Sequence, residues 1–274
     1  MIQRVYLQYY KLREPPFNVT PDPRFLFFSR QHQEAFNHLL YGIRERKGFI
    51  QLTGEVGTGK TTVCRRILEE LGPECKTALI LNPLLSPTQM LRAIAHELGI
   101  VCRRADRLSV LQALNDYVLE QANCGCDVVL LFDEAQDLSP ELLEMIRLLS
   151  NLETDTRKLL QIGLIGQPEL REKLAAPSLR QLRQRIAVHY HLGPLSCDET
   201  AEYINRRLTI AGADSLPIFD DAAVRRIYQY SGGVPRLINA VCDRTLLAGF
   251  VKEKTLLTED LVELAIRELQ GEHQ

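Results

Sequence analysis

Lys60, Thr61, Asp133 and Glu134 are the side chains whose types and spacing suit phosphate chemistry. Residues 54–61 read Gly-Glu-Val-Gly-Thr-Gly-Lys-Thr, a full match to G-x-x-x-x-G-K-[ST]. Gly54, Gly57 and Gly59 let backbone N–H groups turn toward phosphate oxygens, and a helix N-terminus behind them adds positive potential. Lys60 is expected to reach β- and γ-phosphates, and the Thr61 hydroxyl to ligate Mg²⁺. Glu55, Val56, Thr58 and Thr62 complete the loop as expected nucleotide contacts. Downstream, Val128-Val129-Leu130-Leu131-Phe132 ends in Asp133-Glu134. A buried strand with two acids at its carboxyl end places Asp133 at the Mg²⁺ water shell and Glu134 at the attacking water. The bland alternative is a strand stopping at a solvated acidic turn; the loop upstream favours catalysis.

These groups need a scaffold that alternates strand and helix. Apolar runs predict strands at 49–53, 77–82, 127–132, 159–165 and 186–192. Between them, Ser86-Pro87 and Ser139-Pro140 read as cap plus first-turn proline, opening helices to about 98 and 150. A helix at 31–44 and another near 110–121 fill the other gaps. The pattern predicts an α/β parallel sheet covered on both faces. After Gly193-Pro194 the strand signals cease. Ser196-Cys197-Asp198-Glu199 is a capping box, and helices near 221–230, 235–250 and 259–269 follow. Two domains are expected: 1–193, nucleotide-binding with an N-terminal strap rich in Pro and aromatics, and 194–274, a small helical lid.

Composition excludes several classes. Apolar residues at 45% and charged residues at 25% fit a soluble globular chain. A formal charge of −2 argues against a globally basic nucleic-acid binder. No apolar run is long enough for a membrane helix and the start has no signal-peptide core, so a cytoplasmic place is expected, with any inner-membrane association made through a partner. The 7 cysteines form no zinc set and are expected to be reduced and structural. His189 and His191, either side of Tyr190, are likewise read as structural.

Three further positions carry polar signals. Gln167 follows strand 159–165, where it either touches the γ-phosphate and its water or caps the helix beginning at Pro168. Arg180, Arg183 and Arg185 end a helix before the last strand; Arg185 is nearest the strand. Ser231-Gly232-Gly233-Val234-Pro235-Arg236 puts an arginine in a helix's first turn, where an anion would compensate it.

Strap, GEVGTGKTT, LLFDEAQ, LIGQPEL, LRQRI and GGVPRLIN, in this order, resemble the AAA+ ATPases of the general secretion pathway protein A family. The resemblance covers nearly the whole chain. It implies a P-loop NTPase with a five-stranded core and helical lid, and ATP with Mg²⁺ as ligands. It further implies Gln167 as sensor one, Arg185 as a finger acting on a neighbouring subunit of a homo-oligomer, and Arg236 as sensor two. It also places Phe17 and Thr20, within residues 17–21, near the adenine. Longer members continue through a membrane helix into a peptidoglycan-binding region, whereas this sequence ends at Gln274. A shorter relative remodelling a partner in pilus, secretion or exopolysaccharide export is therefore expected. The rival is a DNA-associated AAA+ ATPase of the origin-recognition or transposition type, with Arg103, Arg104 and Arg107 as phosphate contacts. An RNA helicase, suggested by Asp133-Glu134-Ala135-Gln136, would need a second α/β domain, and a small-molecule kinase would leave Arg236 unexplained.

Overall fold

Alternating apolar strands and capped helices build one parallel sheet. The computed structural model describes residues 3–18, 23–25, 27–81, 83–102, 104, 106–153, 158–213 and 217–271. Strands β1 (Phe49–Gly54), β2 (Cys75–Ile80), β3 (Asp127–Phe132), β4 (Leu160–Gly166) and β5 (Ile186–Leu192) lie in the order β2-β3-β4-β1-β5. All four neighbouring pairs are parallel, so helical crossovers must cover both faces. β2 begins at Cys75 rather than 77 because its pairing with β3 runs from Cys75–Asp127 to Ile80–Phe132.

The helices are α1 (Gln3–Tyr9), α2 (Arg30–Arg44), α3 (Lys60–Glu70), α4 (Pro87–Glu97), α5 (Arg107–Asn123), α6 (Pro140–Leu149), α7 (Glu169–Ala175) and α8 (Arg180–Arg185). After β5 come α9 (Cys197–Ile210), α10 (Asp221–Ser231), α11 (Pro235–Val251) and α12 (Glu259–Leu269). Their starts follow the expected caps. Ser86 and Ser139 accept from Gln89 N and Leu142 N, and Ser196 with Glu199 forms a reciprocal capping box.

The chain forms two compact units. One joins Arg30–Glu55 with Gly59–Leu192. Its core sets Leu130, Phe132, Ile162 and Leu164 against Leu91 and Ile94 of α4, Leu114 and Val118 of α5, and Ile146 of α6. On the other face, α2 lies so close that a Cβ at Gly42 would sit 2.8 Å from Ile50 Cδ1. His189 and His191 on the edge strand β5 contact Gln51 Oε1 (2.8 Å) and Thr53 Oγ1 (3.1 Å), sheet contacts in keeping with a structural role.

The other unit joins Met1–Ser29, Val56–Thr58 and Gly193–Gln274. Residues 1–29 therefore cluster with the helices, whereas the sequence division grouped 1–193. The reason is aromatic burial: Tyr6, Tyr10, Phe17 and Phe25 share a core with Ile204, Ile227, Ile238 and Val262. The expected irregular strap also begins as a helix. Tyr6 on α1 and Tyr10 in the turn just after it both point inward, Tyr6 Oη donating to Asp243 Oδ1 (2.7 Å) and Tyr10 Oη to the Lys254 carbonyl (2.9 Å). Burial, reinforced by Asp243, pushes the Tyr6 phenol far above its usual range. Arg207 fastens the following segment, donating to Pro16 O (2.6 Å) and Tyr203 Oη (2.7 Å) with its guanidinium over Phe25.

The turn into α11 is fixed by Gly233, at φ 78°, whose carbonyl accepts from Leu195 N (2.9 Å). An added Cβ would stand 1.9 Å from the Leu195 carbonyl oxygen, and backbone cannot yield as a side-chain tip can. Gly233→Ala is expected to cost about 3 kcal/mol. Calorimetry should then record a melting temperature lower by roughly 6–12 °C.

Candidate nucleotide site

Between β1 and α3 the loop turns at Gly57 and Gly59, whose φ angles are 82° and 99°. An L side chain at Gly59 would be strained there, and it would also meet His32 Nε2 at 2.7 Å. His32, buried on α2, thus backs the loop. It continues the stripe Ala35, Leu39, Ile43, and that periodicity was the available signal for its burial.

Lys60 opens α3 and is 6% exposed, its ammonium donating to Gly54 O (2.8 Å) and Glu55 O (3.0 Å). Burial lowers its pKa, while Glu134, Asp133 and Glu55 pull the other way. Thr61 follows and points at β3, its Oγ1 donating to Asp133 Oδ2 (2.6 Å). Two motifs separated by 72 residues thereby meet. The other oxygen, Asp133 Oδ1, accepts from Glu134 N (3.0 Å).

Glu134 stands at φ 50°, a left-handed conformation costly for a residue with a Cβ. It lifts the carboxylate off the strand axis, where Oε2 accepts from Gln136 Nε2 (2.8 Å) and Gln167 Nε2 (3.2 Å). Gln167 therefore does not cap α7, whose N-cap position, Pro168, has no side-chain cap bond. Lys173 of α7 donates to the carbonyls of Gln136 and Leu138, pinning the turn after β3. The sequence carried no signal for Lys173, whose partners lie after β3, or for the bond from Gln167 N to Gln136 Oε1 (3.0 Å).

A hydroxyl beside a carboxylate is a hard-oxygen donor set of the kind Mg²⁺ takes, so Thr61 and Asp133 fit the expected cation. Among the described residues no group of three His, Cys, Asp or Glu side chains could hold a metal by itself. All seven cysteines are free.

The remaining expected residues make other contacts. Arg185 donates to Ser150 Oγ (2.9 Å), Asn151 Oδ1 (2.6 Å) and Arg147 O (3.4 Å), capping the carboxyl end of α6 in its own chain. Arg180 and Arg183 of the same helix are exposed. In the helical unit, Arg236 sits at the start of α11 beside the segment Val56–Thr58, where a Cβ at Gly57 would fall 2.6 Å from its own Cβ. Phe17 is 2% exposed and packs edge-on against Phe219. Thr20 and Arg103 lie outside the described residues. No helix among the described residues is long and apolar enough to cross a membrane.

Residues 43–174 match the family model described as an AAA domain. The chain is 46% identical over 268 residues, 97% of its length, to general secretion pathway protein A of Aeromonas hydrophila. It covers 49% of that protein, about half the length of this curated relative. In fold it is similar to the ORC2 protein of Aeropyrum pernix in its ADPNP–ADP complexes, with TM-score 0.65 and 18% identity over 93% of this chain and 71% of that one. The RuvB Holliday junction branch migration motor of Thermotoga maritima is also similar, with TM-score 0.57 and 20% identity over 87% and 68%.

Proposed function

Since the chain belongs to the AAA+ ATPases of the general secretion pathway protein A family, we propose that it binds Mg·ATP and hydrolyses it to drive remodelling of a partner protein in envelope export. The observation that supports this most is the 2.6 Å contact joining Thr61 to Asp133, with Glu134 next in the chain and held by two amides. Backbone amides of residues 54–59 receive the phosphates and Lys60 neutralises the β–γ oxygens. Thr61 and Asp133 would hold a magnesium ion, which would supply charge neutralisation when bound. Glu134 takes the proton of the attacking water, and Gln167 fixes that water's position. Titration calorimetry with ATP and Mg²⁺ tests the first step; absence of heat with the folded chain ends this reading.

Homo-oligomeric assembly belongs to the proposal, with Arg185 leaving its α6 cap to reach a neighbour's γ-phosphate. Arg185→Ala is expected to remove the rise of turnover with protein concentration, a loss on the order of 10³-fold at saturation. Stability should fall by only about 1 kcal/mol through the lost cap. If turnover per chain does not depend on concentration in either protein, Arg185 is a structural cap only.

A DNA-associated ATPase is the second reading, and the fold shared with the ORC2 protein is compatible with it. It requires salt-dependent binding to duplex DNA with a slope of several phosphates.

A further inference from the structure

Gln136 follows the acid pair and has no place in the phosphate chemistry above, yet its amide is used at both ends. Its Nε2 donates to Glu134 Oε2 at 2.8 Å and to Asp137 Oδ2 at 3.3 Å. Its Oε1 accepts the Gln167 backbone N–H at 3.0 Å. The slot it fills exists because residue 166 is glycine, where an added Cβ would stand 2.7 Å from Gln136 Oε1. Lys173 grips the Gln136 carbonyl, so the backbone carrying the side chain is also fixed.

We infer that Gln136 is a positioning residue that ties the end of β4 to Glu134 and aims its carboxylate. The inference rests on the reading of Glu134 as the base. Glu134 has a left-handed backbone, and a carboxylate on such a turn has several rotamers open to it. Two N–H donors converging on Oε2 select one of them and leave Oε1 for the proton of the water. Donors to a charged oxygen are the stronger class of hydrogen bond, so one amide suffices to bias the rotamer. Because Gln136 also holds the Gln167 backbone, displacing Gln167 would move both amides together. The link between γ-phosphate sensing and the base then runs through one side chain.

The test is hydrolysis of Mg·ATP by the whole chain, followed under steady-state and single-turnover conditions. Gln136→Ala and the isosteric Gln136→Met should each slow turnover roughly 10- to 100-fold, the worth of one charged hydrogen bond, with the Kd for ATP within about twofold of the parent. Gln136→Glu should fall at least as far, because it sets a carboxylate oxygen against Glu134 Oε2. In a Glu134→Gln background, Gln136→Ala should cost clearly less than in the parent, since its main effect passes through Glu134. Full turnover in Gln136→Ala, or an additive loss in that background, overturns the inference. Full turnover in Glu134→Gln alone removes the base itself, a distinct result. If turnover lies below detection, a crystal structure of Gln136→Ala decides. The Glu134 carboxylate should have left Gln167 Nε2, and an unmoved carboxylate overturns the inference.

Discussion

Glu134→Gln is expected to keep nucleotide affinity and to lose turnover by about 10²- to 10⁴-fold, the range a positioned general base contributes, if Glu134 acts as proposed. The substitution changes one oxygen to an amide and leaves size intact. Its neighbours tolerate the change because the two donors on Oε2, from Gln136 and Gln167, can still reach a carbonyl oxygen. Affinity is expected to hold because the proposed function gives the phosphates to the loop amides and Lys60, and Thr61 remains bonded to Asp133. The check is paired: a fluorescent ATP analogue for Kd, and phosphate release for turnover. Parent-like turnover removes Glu134 from its role, and a Kd raised tenfold or more shows that the variant disturbed the loop instead. The same variant, held with ATP bound, also suits capture of the partner from the source cell.

Placements that depend on local sequence were legible, and contacts that depend on packing were not. The loop at 54–61 declared itself because glycine spacing, Lys60 and Thr61 are set by the backbone turn alone. Asp133 and Glu134 were legible because a fully apolar run ends at them. The helices of the carboxyl-terminal unit were placed within a residue or two, Ser196 and Pro235 marking two of their starts. By contrast, α1 is held by Asp243, 237 residues away, and nothing near Tyr6 announces that partner. Arg185 looked like a group reaching outward, yet its donors close on Ser150 and Asn151 at the end of α6. That contact follows from how α6 and α8 pack, which periodicity does not encode. Gln136 lay in plain view, but its contacts need Gly166 at the end of β4 and Gln167 just beyond it.

Lys60→Met should weaken ATP binding by roughly 100-fold, about 3 kcal/mol, while leaving the ligand-free fold as stable as before or more so. The two halves have one cause. Burial already disfavours the Lys60 ammonium, and its three N–H groups have the carbonyls of Gly54 and Glu55 as near acceptors. Methionine keeps the length and apolar body and relieves that desolvation, so the loop loses little when no phosphate is present. With phosphates, the loss is the attraction between a buried cation and a polyanion, which no neighbour replaces. Thermal unfolding separates the halves. At ATP one hundredfold above the parent Kd, ligand linkage should stabilise the parent by about 2.7 kcal/mol and the variant by roughly 0.4. Equal stabilisation of the two proteins by ATP would mean that Lys60 does not face the phosphates. A collapse of the ligand-free melting temperature in Lys60→Met would instead make the ammonium a structural strut for its own loop.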